Sequence, residues 1–260
     1  MTDAEIDSAA RHLVAARRAG KSGARLPESC RPIELTDAIS IQRRVQALLG
    51  VAAGGWKCSL PTAERAVSCA PIFAPSIHRD SPFAVVARGP TAKIEPEIAF
   101  VLGHDLPPRE PGYNETEVRA AIAETRLVLE LLDSRYADAA AVSFAEVLAD
   151  QVNNQGLFVG PVLGPDIGAR LEAFPIAIET NGRALHSREG RHPDGHPLRP
   201  LVWLASYLAR HEGGLAAGEI VTTGSYAGAL EVPLDTPLTV RFGALGEISV
   251  AFVAAEFNLS

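Results

Sequence analysis

Apolar residues recur at helical spacing in two segments near the N-terminus, residues 3–19 and 37–49. Thr2 and Glu5 stand three positions apart at the start of the first segment. This is the pattern of a capping box, in which side-chain and backbone groups satisfy each other. Thr36 directly precedes the second segment, and we expect it to be the N-cap residue. The chain therefore predicts two amphipathic helices before residue 52.

From residue 53 the pattern changes to short apolar runs separated by Gly, Pro and Asp, which is typical of strands. We predict two further helices, at 115–124 and 199–210. The predicted strands cover residues 91–102, 127–132, 157–162, 174–180, 219–223, 237–242 and 247–253. For 127–132, continuation of the preceding helix is an alternative. The order of these elements predicts one α+β unit, with a helical N-terminal region over 1–52 and a mixed-sheet body over 53–260.

The composition narrows the class of protein. The chain has 260 residues, 47% of them apolar, and a formal net charge of −7 at pH 7. The acidic balance argues against binding to nucleic acid or to an anionic membrane surface. No apolar run approaches the ~18 residues of a membrane span, and the acidic N-terminus lacks an apolar signal core. Three cysteines without a CxxC pair fit a reducing compartment, so we expect a cytoplasmic protein.

Two glutamates lie in the most informative segment, Glu95 and Glu97 within the predicted strand 91–102. Alternate residues of a strand share a face, so the two carboxylates project together. Like charges in so apolar a stretch need compensation, and oxygen ligands suit a divalent cation such as Mg²⁺. The alternative is a solvated face of an edge strand, which Pro96 favours because proline is confined to edges and bulges.

Two further charged residues stand in apolar surroundings. Glu130 is the one acid in the run at 127–132, and an acid in such a run is usually paired or bound to a metal. An ion pair with Arg126 or Arg135 is the alternative for Glu130. Lys57 follows Gly54 and Gly55, and a desolvated lysine can transfer protons. A merely solvated lysine is the alternative there.

Other chemistry-bearing residues give weaker signals. His192 and His196 lie four apart, but the prolines and glycine around them indicate a loop and not a helical metal-binding face. Cys58 and Cys69 fit small core residues better than nucleophiles. The chain has no GxGxxG motif and no Walker loop.

Six segments, in order along the chain, resemble the family of 2-oxopent-4-enoate hydratases and 4-oxalocrotonate decarboxylases, part of the fumarylacetoacetate hydrolase superfamily. The segments are GWKCSL at 55–60, KIEPEIA at 93–99, LELLDSR at 129–135, LADQVNN at 148–154, GHPL at 195–198 with WLA at 203–205, and GEIVTTG at 218–224. The resemblance covers almost the whole chain. It implies a distorted β-roll with a helical N-terminal part, and a homo-oligomer.

The resemblance also implies roles for eight residues. By it, three carboxylates bind Mg²⁺ or Mn²⁺, one lysine transfers protons, and four residues bind a small 2-oxo or 2-hydroxy acid. The metal ligands are Glu95, Glu97 and Glu130, the proton-transfer residue is Lys57, and the substrate-binding residues are Thr223, Gly224, Asp150 and Asn154.

One departure from the family pattern bears on the activity. Family members carry an acid and a glycine just before the apolar segment that leads to the metal strand, where this chain has Ser68 and Ala70. Our lead hypothesis is hydration of a 2-hydroxy-2,4-dienoate to a 4-hydroxy-2-oxo acid in aromatic-compound catabolism. The alternatives are decarboxylation of a 2-oxo-enedioate, hydrolysis of an acylpyruvate, and a non-catalytic protein that binds a metal and a 2-oxo acid.

Overall fold

The N-terminal part of the protein is helical, as the apolar pattern predicts. The structure is a computed structural model that describes residues 1–164 and 171–256. Helix α1 spans Asp3–Ala19, and Thr2 and Glu5 form the predicted capping box. Helix α2 spans Leu35–Leu49, so its N-cap is Glu34, and the prediction of Thr36 was wrong. Leu35 packs against the apolar cluster beneath the helix, so the helix begins one residue before Thr36.

The remaining elements form a body of strands with three helices. These helices are α3 (Glu115–Ala121), α4 (Phe144–Ala149) and α5 (Leu198–His211). The strands are β1 (Ala53–Cys58), β2 (Cys69–Phe73), β3 (Ile77–His78), β4 (Phe83–Val85), β5 (Thr91–Leu102), β6 (Ile122–Leu132), β7 (Asn154–Val162), β8 (Ala173–Thr180), β9 (Arg183–Arg191), β10 (Ile220–Thr222), β11 (Leu230–Pro233), β12 (Leu238–Phe242), β13 (Glu247–Val250) and β14 (Phe252–Ala254).

The strands form one large mixed sheet and two smaller sheets. The large sheet has the order β2-β1-β10-β5-β6-β7-β3, and β11 also pairs with β5. Its β1–β10 and β3–β7 pairs are parallel, and its other pairs are antiparallel. The second sheet has the order β13-β12-β8-β9, and β4 pairs with β14. The predicted α+β class with a mixed sheet is therefore observed.

Strand β5 lies in the middle of the large sheet, so the alternative of an edge strand was wrong. On one side it pairs with β6, and on the other with β11 near its start and β10 near its end. Pro96 lies between these two partners, where its carbonyl accepts the Tyr226 N–H at 3.1 Å. The nitrogen and carbonyl of a strand residue point to the same side, so the nitrogen of Pro96 also faces the gap between β11 and β10. The missing N–H of proline therefore removes no hydrogen bond between strands.

Other element boundaries differ from the sequence pattern in specific ways. Residues 127–132 are a strand, as predicted, but β6 already begins at Ile122, so α3 ends three residues before the predicted 124. The predicted strand at 247–253 is two strands, because β13 pairs with β12 whereas β14 pairs with β4. Strand β9 was not predicted, since its mostly exposed, polar sequence lacks an apolar face.

The helical N-terminal region and the body share an apolar core. Leu13 of α1 and Val45 of α2 belong to a cluster that also contains Phe73, Tyr136 and Leu148 of the body. A larger cluster contains Ile94 and Ile98 of β5, Leu129 of β6, and Leu201 and Leu204 of α5. The division at residue 52 stays a prediction. Within the described ranges no helix has the length and apolar character needed to cross a bilayer.

Candidate metal centre

Three glutamates meet on one face of the β5–β6 pair. The register places Glu95 directly opposite Glu130, and Glu97 two residues further along β5. Directly opposed residues have Cβ atoms about 5 Å apart, close enough for their carboxylates to share a ligand. One carboxylate oxygen from each lies within 4.8 Å of the others, and among the described residues this is the one cluster of three or more acids, histidines or cysteines so arranged.

Glu130 is held by two side-chain donors from other strands. Its Oε1 accepts from Lys57 Nζ at 2.6 Å and from Asn154 Nδ2 at 2.9 Å. Its Oε2 is buried and has no hydrogen-bond partner within the described parts of the chain. Buried polar atoms are usually partnered, so this oxygen is open to a ligand that the protein itself does not provide.

Glu97 is held from the other side by β10 and the loop after it. Its Oε2 accepts from the Thr222 hydroxyl and from the Gly224 N–H, the latter at 2.9 Å. Gly224 has φ of 123°, and an added Cβ would lie 3.1 Å from Pro193 Cγ. Glycine is therefore the residue that brings this N–H to the carboxylate without strain.

Burial and mutual repulsion disfavour the charged forms of two of the acids. Burial, with the nearby charge of Glu130, raises the pKa of Glu95 to about 7. Burial, with the charges of Glu130 and Glu95, raises the pKa of Glu97 to about 8. Burial lowers the pKa of Lys57, but the three carboxylates outweigh it and leave that pKa above its usual value. The ammonium of Lys57 thus faces three acidic side chains, and one positive charge is too little to neutralise all three.

Lys57 reaches the cluster because β1 packs closely against β10. Lys57 is opposite Thr222 in the parallel β1–β10 pair. Two residues earlier, a Cβ added at Gly55 would lie only 2.1 Å from the Ile220 carbonyl oxygen. Only glycine permits this approach, which brings the lysine within reach of β6.

A left-handed turn on the other side of Lys57 completes its environment. Val152 O accepts from Lys57 Nζ at 3.0 Å. Gln151, Val152 and Asn153 have φ of 49°, 50° and 62°. Each non-glycine residue in this region costs roughly 1–2 kcal/mol, and β-branched valine tolerates it least. Such strain persists only where surrounding contacts fix the backbone, and it is typical of functional sites.

Asp150 begins this turn and is fully buried. Its Oδ2 accepts the Arg135 N–H at 2.9 Å, its Oδ1 accepts from Arg135 Nε, and its carbonyl accepts from the Arg135 guanidinium at 2.8 Å. Arg17 of α1 lies 3.6 Å from Asp150 Oδ1. The carboxylate of Asp150 is thus occupied by arginines, which favours support of the turn over contact with a substrate.

Thr223 is fully buried next to His192. The Asp194 N–H donates to His192 Nδ1 at 3.1 Å, which places the proton of the neutral ring on Nε2. Nε2 lies 3.5 Å from Thr223 Oγ1. Burial lowers the pKa of His192 to about 4, so the ring is neutral at physiological pH. Neither His192 nor His196 belongs to the carboxylate cluster.

The structure brings together Lys57, the three glutamates and Asn154, and places Gly224 against Glu97, as predicted from the sequence. The hydroxyl of Thr223 lies by Ile98 O and His192 and does not contact the cluster. Sequence reasoning missed the residues that hold this group. They are Thr222, Val152, Arg135 and Arg17. The sequence did contain a signal for Thr222. It directly precedes Thr223 in the predicted strand 219–223, where adjacent side chains point to opposite faces. Ser68, the residue before β2, is buried and brings no carboxylate. The three cysteines are buried free thiols.

Comparison with known families agrees with this geometry. The family model described as fumarylacetoacetate (FAA) hydrolase, C-terminal, matches residues 66–257. The chain belongs to the fumarylacetoacetate hydrolase family. The matched range contains all three glutamates, whereas Lys57 and the helices α1 and α2 lie before it.

Relatives within this family carry two activity names. A 2-keto-4-pentenoate hydratase from Paraburkholderia xenovorans (strain LB400) is 26% identical over 99% of this chain and 98% of its own length. A 4-oxalocrotonate decarboxylase from Pseudomonas putida is 30% identical over 62% of this chain and only 60% of its own length. The solved structure of 4-oxalocrotonate decarboxylase from Pseudomonas putida G7, complexed with magnesium and adipate, has a TM-score of 0.80 at 23% identity, covering 97% of this chain and 99% of that one.

These comparisons confirm the predicted family and the predicted fold. The relatives bear the names of the lead activity and of the first alternative activity that the sequence predicted.

Proposed function

We propose that this protein is a metal-dependent hydratase that converts a 2-hydroxy-2,4-dienoate into a 4-hydroxy-2-oxo acid. The observation that carries the proposal is the cluster of Glu95, Glu97 and Glu130, in which Glu130 Oε2 is buried and unpartnered while Lys57 donates to Glu130 Oε1. The hydratase relatives that align over nearly their whole length support this activity over the others.

The three carboxylates fit a hard divalent cation. They offer only oxygen ligands, and Glu97 and Glu130 are buried while Glu95 is half-buried. Burial and crowding raise the pKa values of Glu95 and Glu97, and a bound cation would offset both effects. We propose Mg²⁺ or Mn²⁺, both of which suit such ligands. When bound, the ion supplies a Lewis acid that stabilises negative charge on the C2 oxygen of the substrate.

Lys57 is the proposed proton-transfer residue. Ketonisation of the dienol moves a proton from the 2-hydroxyl to C5 and leaves a conjugated 2-oxo acid. Water then adds across the C3–C4 double bond, with OH on C4 and H on C3. Lys57 Nζ can hold or release a proton here, because Glu130 Oε1 and Val152 O fix its position.

Thr223, Gly224 and Asn154 are proposed to line the substrate site. Gly224 and Asn154 donate to Glu97 and Glu130, so they lie against the carboxylates that the substrate approaches. For Asp150, which the sequence predicted as a substrate ligand, the contacts to Arg135 favour an indirect role through the turn it begins.

Decarboxylation of a 2-oxo-enedioate is the second candidate. Two observations favour it: the overall structural likeness to 4-oxalocrotonate decarboxylase, and Ser68 where a carboxylate for handling water is expected. Decarboxylation needs no activated water, so a serine at this position harms it less.

A paired assay tests the proposal. Wild type and Glu97→Gln are given a panel of dienoates and enedioates with and without Mg²⁺, and diene absorbance and carbon dioxide release are followed. Glu231→Gln is the matched control, since this glutamate is exposed on β11. We expect metal-dependent loss of diene absorbance in wild type and control, and its absence in Glu97→Gln.

The two activities differ in product. Carbon dioxide release without hydrated product would select decarboxylation. Tight metal-dependent oxalate binding without any turnover would replace both by a non-catalytic binder. Equal activity of wild type and Glu97→Gln would refute the site. The homo-oligomer and the cytoplasmic location stay predictions, which light scattering of the purified protein and fractionation of cells check.

A further inference from the structure

Arg17, near the end of α1, reaches the left-handed turn from outside the metal centre. Its terminal NH2 nitrogen donates to the Gln151 side-chain oxygen and to the Asn154 carbonyl, the latter at 3.2 Å. The arginine side chain is only 14% exposed, and the guanidinium also lies over the ring of Phe73. One nitrogen of the N-terminal helix therefore holds both ends of the turn.

The same turn holds two groups of the metal centre on its other side. Val152 supplies the carbonyl that fixes Lys57 Nζ at 3.0 Å, and Asn154 supplies the amide that donates to Glu130 at 2.9 Å. A displacement of this backbone thus moves the proton-transfer residue and a metal ligand together.

The turn has two backbone hydrogen bonds of its own, from the Asn153 N–H to Asp150 O at 3.0 Å and from the Asn154 N–H to Gln151 O, but its backbone conformation is locally unfavourable. Its three central residues all have positive φ, which L-residues adopt singly but rarely in succession. Besides Arg17, three groups outside the turn contact it: Arg135 holds Asp150, Lys57 Nζ donates to Val152 O, and the Asp133 N–H donates to Asn153 O at 2.9 Å. Of these, the Arg17 contact is the one that spans from the Gln151 side chain to the Asn154 backbone.

The polar groups at this junction are poorly satisfied for their burial. Arg17 Nε, Gln151 Nε2 and Asn153 Oδ1 are buried without a hydrogen-bond partner in the described portion of the protein. Unpartnered buried polar atoms cost stability, and apolar side chains would pack here without that cost. A role in orienting the turn accounts for polar residues at these positions.

We infer that Arg17 is a positioning residue for Lys57 and Glu130, acting through the turn at residues 151–153, so that helix α1 takes part in building the active site. The inference rests on the roles proposed above for Lys57 and Glu130. It makes the N-terminal helical region, which lies outside the matched family range, a part of the functional site.

Four variants test the inference. Arg17→Met removes the donor and keeps the length of the side chain, and Gln151→Leu removes the acceptor while leaving Arg17 beside Asp150. Arg17→Lys retains a terminal donor that can reach the same oxygens. Arg18→Ala is the matched control, because Arg18 is exposed on the same helix and, among the described residues, donates only to the Leu48 carbonyl.

We expect Arg17→Met and Gln151→Leu to lower kcat by roughly 10- to 100-fold with less change in KM, as misplacement of reacting groups does. The Kd for Mn²⁺ is expected to rise about tenfold, as when an outer-shell contact to a ligand is disturbed. Amide hydrogen exchange is expected to speed up in residues 150–156. Arg17→Lys restores most of the lost kcat, and Arg18→Ala matches wild type. A merely structural role would lower the melting temperature without this pattern.

The outcomes separate this inference from the proposed function. If wild type turns over no substrate in the panel, the proposed function fails, while Mn²⁺ affinity and hydrogen exchange still decide the positioning role. Should Arg17→Met not fold, Gln151→Leu carries the same test. Folded variants with wild-type kcat, Mn²⁺ affinity and exchange in residues 150–156 would overturn the inference.

Discussion

Metal binding at the carboxylate cluster is expected to weaken steeply as the pH falls. A divalent cation binds the ionised carboxylates, so it competes with the protons that Glu95 and Glu97 hold below their raised pKa values of about 7 and about 8. Lowering the pH from 8 to 6 therefore protonates both ligands in the metal-free protein. Ordinary exposed glutamates stay ionised over this range, so the same change in pH would hardly alter their affinity for a cation.

The size of the effect follows from the two pKa values. Between pH 8 and pH 6 the ionised fraction falls about 50-fold for a pKa of about 8 and about 10-fold for a pKa of about 7. Together this lowers the apparent affinity by roughly 500-fold, or about 4 kcal/mol. Titration calorimetry with Mg²⁺ at pH 6, 7 and 8, in buffers of different ionisation enthalpy, measures both the affinity and the protons released.

Glu97→Gln provides the internal check, because it removes the carboxylate with the higher pKa. The pH dependence is then expected to lose about one proton while the remaining affinity is weaker. Affinity for Mg²⁺ that changes less than threefold between pH 6 and pH 8 in wild type would refute the reasoning. It would mean that the ion binds elsewhere or that the glutamates are solvated.

Three further outcomes are expected. Lys57→Met lowers kcat by about 10²-fold or more, since it removes the proton-transfer group; full activity in a steady-state assay would exclude this role. Thr222→Val removes the hydroxyl donor to Glu97 and weakens Mn²⁺ binding about tenfold by calorimetry, and unchanged affinity would speak against that contact. Gly55→Ala places a methyl group against the backbone and is expected to lower the free energy of unfolding in urea by roughly 3 kcal/mol or more, whereas Gly50→Ala, in open space, lowers it by about 1 kcal/mol. Equal losses in the two variants would contradict the close packing of β1 against β10.

Local patterns in the sequence were sufficient to single out each of the three glutamates, but not to bring them together in one centre. Glu95 and Glu97 alternate in a strand, and Glu130 is alone in an apolar run, so each was recognisable without knowledge of the partner strand. The register that places Glu130 opposite Glu95 depends on pairing between strands about 30 residues apart, which no local pattern encodes. The family resemblance, and not the spacing, joined the three.

The groups that hold the centre depend on contacts between residues far apart in the chain. Arg17 contacts residues more than 130 positions away, and nothing in its helical surroundings distinguishes it from Arg18. The left-handed backbone at Val152 contradicts the local preference of valine, so sequence reasoning could not have predicted it. Pro96 suggested an edge strand, but β5 is central. Proline is accommodated there because β10 and β11 pair with different parts of β5 and leave a gap between them.

Anomalous diffraction from crystals soaked in Mn²⁺ tests the central claim most directly. We expect one strong anomalous peak among the carboxylates of Glu95, Glu97 and Glu130, and a clearly weaker one there in crystals of Glu97→Gln grown and soaked identically. A wild-type cluster without a peak at saturating Mn²⁺, or a peak bound by other residues instead, would contradict the account.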